Sequence, residues 1–406
     1  MIDFYLVICC LTAFFLINKS CDIFNFFNPS VYFFWIYLLF CTFGFFYRDL
    51  YDYAIDISNK TVGIIGAGLI TYSLGVFLAS NKRSKKTLKT GLRSLIDSGV
   101  QEHNFGLAFA LAFCVIPFLF ALLFTVQAGE ILWLQENFDD QRIEVRKGAG
   151  WIAILGIASA YIATIFLGIY AYRSNKFAIP FAALSIVLIS GISFGNRAPA
   201  VDIVIIFFTF FWIKKFNRIS ALHFGGAFIV LMIFMVSLGI LRQGLEFDAE
   251  MITKQLLWRP FVNVQNIEWA VDLIPSTVDY FYGQSTIIEL MVLAPGYQPN
   301  FGTYMKELMG LEFSGGSITF GAIGMLYADF GATLAVFGML GIGYILQQVY
   351  FRYSRSGIHF IKLIIASTSL KGIAVSGVIS PIIYTLIPCW IIYTTVKYVR
   401  KKGIST

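Results

Sequence analysis

Apolar residues run in long stretches along this chain, separated by short polar turns. Crossing a bilayer as a helix takes about 20 apolar residues. Stretches of this kind lie near 3–18, 30–47, 61–80, 105–126, 150–171, 177–194, 199–213, 222–241, 330–350, 358–376 and 379–396. The pattern predicts an all-α polytopic membrane protein with about 11 transmembrane helices. Between about ten and twelve spans fit the pattern, because Lys362 and Lys371 interrupt the run 358–376. Residues 1–406 read as a single integral membrane domain, since no polar stretch is long enough to bury a core of its own.

Two polar segments stand out. Residues 127–149 form a small charged loop around Trp133. Residues 242–317 form the large one, rich in aromatics and punctuated by turn signals at Pro275, Gly283 and Pro295-Gly296. Helical apolar spacing over 249–258 and 262–274 predicts short amphipathic helices lying over the membrane mouth.

Composition agrees with the pattern. Hydrophobic residues make up 58% of the chain and charged residues 13%, against about 25% charged in soluble domains. The net charge of +7 does not indicate nucleic acid, because Lys and Arg are scattered between apolar runs and form no basic face. Their placement reports orientation instead. One set of loops carries Lys19, the cluster 82–93, Arg173, Lys176, Lys214, Lys215, Arg218, Arg352, Arg355 and the tail from Lys397 to Lys402. Only Asp22, Asp97 and Glu102 oppose them there. The positive-inside rule puts those loops in the cytoplasm. The N-terminus is then outside, the C-terminus inside, and both polar segments are periplasmic. The N-terminal MIDFY lacks the basic start of a signal peptide. The six cysteines sit in or beside apolar runs without metal-ligand spacing, and read as packing residues.

Soluble-enzyme signatures are absent: there is no phosphate-loop Gly-Lys-Ser/Thr, nucleophile elbow or zinc-binding His-Glu-x-x-His. The informative feature is Arg197 in SFGNRAPAVD. Residues 177–213 must hold two spans and their turn, so Arg197 falls at or just below the outer hydrocarbon boundary, with Asp202 about one turn deeper. Two readings stay open. Arg197 snorkels or pairs with Asp202, or it binds an anion in an outward-facing cavity. Arg242 in GILRQG and Arg259 in LLWRPF flank the same mouth. Three guanidinium groups suit a diphosphate, because each donates two parallel hydrogen bonds and keeps its charge. Among the acids, Glu268 and Asp272 are spaced i, i+4 on one helix face, Asp279 follows, and Asp329 lies in MLYADFG. Each could take a proton from a sugar hydroxyl.

The residues GNRAP, LRQG, LLWRPF, LAPGYQPNFG and GGSITFGAIGMLYADFGATLAVFGMLGIG resemble the Wzy-type O-antigen polymerases, the oligosaccharide repeat-unit polymerases. The likeness is clearest over 177–350 and extends to the whole chain in size and topology. The chain departs from the family at Met325, where an acid is frequent.

The resemblance implies a GT-C-like fold and a glycosyltransferase of the bacterial inner membrane. It would move a growing glycan from undecaprenyl diphosphate to the end sugar of a fresh lipid-linked repeat unit, at the periplasmic face. No cofactor and no metal is implied. Arg197, Arg242 and Arg259 would hold the diphosphates. A carboxylate among Glu268, Asp272, Asp279 and Asp329 would serve the acceptor hydroxyl. Tyr280, Tyr282, Tyr304 and Trp269 would stack on sugar rings. Membrane lipid surrounds the chain, and a flippase and a chain-length regulator are implied partners. An O-antigen ligase is one alternative, but the expected histidine of its large loop is missing from 242–317. A lipid-linked oligosaccharide flippase is the other; Arg197, Asp202 and Lys362 would suit a polar pathway, while the lack of internal repeats tells against it.

Overall fold

The computed structural model describes residues 2–51, 55–81, 92–103, 105–129, 138–195, 198–216, 249–292, 299–311, 318–354 and 359–403, with scattered positions between 225 and 237. In chain order the helices are α1 (Ile2–Ser20), α2 (Pro29–Tyr37), α3 (Asn59–Asn81), α4 (Leu92–Glu102), α5 (Leu107–Ala128), α6 (Phe138–Ser174), α7 (Ala178–Ser193), α8 (Ala198–Phe216), α9 (Ala249–Leu273), α10 (Gln284–Met291), α11 (Phe301–Leu308), α12 (Gly321–Tyr353), α13 (Phe360–Leu370), α14 (Ile373–Ser376) and α15 (Ile387–Gly403). No strand occurs among the described residues.

Among these residues, seven stretches are long and apolar enough to cross a membrane: Asp3–Ser20, Pro29–Phe46, Asn59–Asn81, Leu107–Ala128, Gly150–Ser174, Gly321–Tyr353 and Ile382–Val399. Each covers a run expected from the apolar pattern. Helices α7 and α8 cover the runs 177–194 and 199–213. Most of the run 222–241 lies outside the described residues. The chain is an all-helical, polytopic membrane protein.

Three expectations change. The segments 249–258 and 262–274 form one helix, α9, which carries Pro260 in its interior. The proline removes one backbone donor, yet α9 is held on both sides of it by the segment after α2. Tyr51 stacks on Phe261 with ring centroids 4.4 Å apart, and its hydroxyl donates to the Lys254 carbonyl at 2.6 Å. Second, the small loop 127–149 is helical from Phe138 onward and runs without a break into the span. Its sequence suits a polar helix, with Asp139 and Asp140 at the start and Arg146 and Lys147 further on. Third, the run 358–376 is not one helix: α13 ends at Leu370 and only the single turn α14 follows. The two lysines that interrupt it are absorbed by aromatic faces, Lys362 over Trp390 and Lys371 over Tyr32, each at 5.1 Å.

The chain gathers into two compact units. Unit 1 comprises Met1–Lys89, Met232–Phe351 and Leu370–Pro381. In it α3 and the second half of α12 run parallel and close, because glycines face backbone across the interface. A Cβ at Gly75 would collide with the Leu340 carbonyl, and one at Gly343 with the Tyr72 carbonyl. Such small-residue contacts are how helices approach one another in lipid. Polar groups close the same seam: Thr71 Oγ1 donates to the Val336 carbonyl at 2.9 Å. Buried Gln347 donates to Ser80 Oγ at 3.2 Å and accepts from Asn28 Nδ2 at 3.1 Å.

After α2 the chain tightens into a π turn over Leu38–Thr42 and a 3-10 helix over Phe43–Leu50. That segment lies against α9, with Gly44 beneath the Pro260 carbonyl, where a Cβ would collide.

Unit 2 comprises Thr90–Leu231, Arg352–Ser369 and Ile382–Thr406. The long helix α6 is its axis, packed by α5, α7, α8 and α15. Phe194, at the turn after α7, fills the gap left by Gly156 and meets Phe124 edge-on at 5.5 Å. Gly156 lies six positions into the stretch Gly150–Ser174, about 9 Å along the helix at 1.5 Å per residue.

Candidate functional site

One polar end of unit 1 is where α3 starts, α9 ends, and α10 and α11 lie. Three buried carboxylates organise that end, and each completes the start of a helix on another element. The first four N–H groups of a helix have no partner within it, and a carboxylate there also meets the positive end of the helix dipole.

Glu268 of α9 is 1% exposed. Its Oε2 accepts the Ser58 N–H at 2.8 Å. Ser58 itself caps α3, its Oγ accepting the Thr61 N–H at 3.2 Å. In a capping box the third helical residue would return an acid to the cap N–H. Here that residue is Thr61, and Glu268 supplies the acid from across the fold.

Asp329 is 3% exposed and serves α10 in the same way. The cap of α10 is Gly283, which has no side chain to offer. Asp329 accepts the Ser285 N–H at 3.2 Å on Oδ1 and the Ser285 hydroxyl at 2.5 Å on Oδ2. The geometry depends on a break in α12 at Gly331, which has φ 77° and ψ 179°. In the last turn before it, the Ala328 and Asp329 carbonyls accept the backbone N–H groups of Phe281 and Tyr282, both at 3.0 Å.

Glu289, which sequence reasoning missed, completes the set at α11. Its Oε1 accepts the Phe301 N–H at 3.0 Å, and its Oε2 accepts the Ser380 hydroxyl. Burial pushes its carboxyl above the usual carboxylate range, against the opposing pull of those two hydrogen bonds. A raised folded pKa means that the folded chain holds the proton more tightly than the unfolded chain. The contribution of Glu289 to stability is then complete below its ordinary pKa and is lost as pH rises through the raised value. Glutamine at 289 can still accept from Phe301 and can donate to Ser380. Glu289→Gln should therefore keep the wild-type melting temperature in detergent and flatten its fall with rising pH. Glu289→Ala should cost about 1–3 kcal/mol, because the Phe301 N–H is left buried and unpaired.

The aromatic side chains gather beside these carboxylates. Tyr280 lies 6.3 Å from both Tyr282 and Tyr327, ring centre to ring centre. Tyr304 meets Phe281 at 6.0 Å. Tyr282 is 72% exposed and Tyr304 is 37% exposed. Trp269 is half-buried on α9. Asp272 and Asp279 are exposed, and the Asp272 backbone carbonyl accepts the Ser276 hydroxyl. Glu268 and Asp272 share a helix, as the spacing indicated, but one is buried and the other open.

Of the three arginines, Arg197 and Arg242 lie outside the described residues, and for Arg259 only the backbone, within α9, is described. In unit 2, Asp202 is buried and its Oδ2 accepts the Tyr161 hydroxyl at 2.8 Å. Among the described residues no group of three His, Cys, Asp or Glu side chains is placed to hold a metal ion.

Comparison with curated proteins and with solved structures finds no match. A family model described as "O-antigen polysaccharide polymerase Wzy" matches residues 1–403.

Proposed function

The chain belongs to the Wzy family of O-antigen polysaccharide polymerases, and from that premise we propose a specific reaction and sidedness for it. The family establishes an O-antigen polysaccharide polymerase, and lipid-linked repeat units as its substrate are part of the proposal. The proposed donor is a glycan on undecaprenyl diphosphate, and the proposed site faces the periplasm of the inner membrane. In that topology the N-terminus is periplasmic and the C-terminus cytoplasmic. A flippase would deliver the repeat units and a chain-length regulator would act on the product.

In the reaction, the bond between the donor's anomeric carbon and its diphosphate breaks, and undecaprenyl diphosphate leaves. An acceptor hydroxyl forms the new glycosidic bond and gives its proton to a carboxylate. Arg197, Arg242 and Arg259 bind the diphosphates and stabilise the leaving charge, each well-placed donor contributing about 3–4 kcal/mol. Among the acids, Asp272 and Asp279 are exposed and open to an acceptor. Glu268 and Asp329 are occupied at helix starts, so their part is to hold the site in shape. Tyr280, Tyr282, Tyr304 and Trp269 offer faces for sugar rings.

The observation that carries this reading is the family match across nearly the entire chain. Deleting the gene tests it. Loss of the polymerase should leave lipid A-core capped by one repeat unit, read as a single short band on a lipopolysaccharide gel. Bare core would point to a ligase, and unaltered long chains would end the proposal.

A further inference from the structure

We propose that Lys60 binds a phosphate oxyanion at the polar end of unit 1, with Tyr327 as the residue that positions it. This rests on the reading above for the identity of the substrate.

Lys60 lies in the first turn of α3 and is exposed. Its Nζ donates to Tyr327 Oη at 2.6 Å and stands 5.0 Å from the centre of the same ring. Tyr327 is fully buried, and its hydroxyl proton goes to the Ile274 carbonyl at 2.6 Å. The tyrosine oxygen is therefore an acceptor toward Lys60, fixed from the other side by the end of α9. Among the described residues no carboxylate lies within ion-pair distance of Lys60. The nearby buried acid, Glu268, is held instead by the Ser58 N–H.

An ammonium group has three donors. One is used on Tyr327, and two remain for a ligand. Among the described residues the charge is thus aimed by a neutral partner and meets no acid. The start of α3 adds partial positive charge. Tyr280 meets the Tyr327 ring edge-on, and exposed Tyr282 lies beyond Tyr280. An oxyanion with a sugar or lipid attached fits that setting: the oxygens take the free N–H donors and the attached group meets the tyrosines. Phosphate can come from the diphosphate of the lipid-linked substrate or from a phospholipid headgroup.

The test uses the full-length protein in phosphatidylcholine nanodiscs, with radiolabelled undecaprenyl diphosphate as the probe. Lys60→Gln retains a donor for Tyr327 and should weaken binding about tenfold, whereas Lys60→Arg should stay within about threefold of wild type. Tyr327→Phe, which frees the lysine without removing its charge, should weaken binding about threefold. A second arm uses labelled phosphatidylglycerol as the probe. If only that probe loses affinity in Lys60→Gln, the phosphate is a headgroup's.

In wild-type protein the bound probe should also shield Lys60 from an amine-acylating reagent, read by mass spectrometry without any substitution. Unchanged affinity for both probes in Lys60→Gln, or equal acylation of Lys60 with and without them, overturns the proposal. Binding needs no polymer to form. Wild-type protein that binds the probe but never extends a glycan would sink the polymerase reading and leave this one standing.

Discussion

Replacing Gly331 with valine should abolish long-chain polymer while the protein still accumulates in the membrane. The backbone at Gly331, φ 77° and ψ 179°, belongs to a region that residues with a Cβ avoid. Occupying it costs an L-residue on the order of 1–3 kcal/mol. Space is short as well: a Cβ would lie 3.1 Å from the Tyr280 ring and hydroxyl. The break does more than bend α12. It presents the Ala328 and Asp329 carbonyls to Phe281 and Tyr282, and it aims the Asp329 carboxylate at Ser285. A residue that restored a straight helix would pull both attachments away from the 280–285 segment. Irregular backbone at membrane depth survives only where protein or a cavity satisfies it, and here protein does. The measurement is glycan length on a gel from cells lacking the native gene, with membrane levels of the variant quantified. Gly331→Ala should give shortened chains at reduced level, and Gly331→Val none. Wild-type chain length with valine would remove the break from the account.

The second large effect is expected at Arg197. Arg197→Ala should reduce polymerisation about a hundredfold or more, the loss found for a single missing donor to developing charge. Arg197→Lys should recover only part, since a point charge cannot reproduce two parallel hydrogen bonds to phosphate. Phe194, three positions before Arg197, packs its ring on Gly156, and Asp202, five positions after it, is buried and accepts the Tyr161 hydroxyl. The rate of glycan extension by purified variants measures the effect. Restoration of long chains by the alanine variant in cells would end the claim for this residue.

The two predictions differ in what the sequence could reveal. Membrane spans were legible because hydrocarbon imposes one requirement, a long apolar run, and 3–18, 61–80, 105–126 and 150–171 met it without interruption. The break at Pro260 was not an end of a helix, because tertiary packing by Tyr51 and Gly44 held both halves in line. Glycines 75 and 343 are visible as letters, but the partner backbone that makes them necessary is remote in the chain. The candidate acids were visible as types, whereas their roles depended on which helix start each one meets. Ser58 with Thr61 three positions on is half of a capping box, and Gly283 is a cap without a side chain. Both leave a vacancy that a distant acid fills. Glu289 carried no such local signal, since the N–H it satisfies belongs to Phe301 on the next helix. Lys60 read as a single charge beside a span, and only the fold supplied Tyr327 beneath it.

The central claim, that this chain itself polymerises lipid-linked repeat units, is tested most directly with purified protein. Full-length protein in nanodiscs would be given one undecaprenyl-diphosphate-linked repeat unit and no nucleotide, nucleotide sugar or ion gradient. The account predicts a ladder of products growing by whole repeat units, with free undecaprenyl diphosphate released in step, and no ladder from Arg197→Ala. Active wild-type protein that moves the substrate across the bilayer without lengthening it would contradict the account.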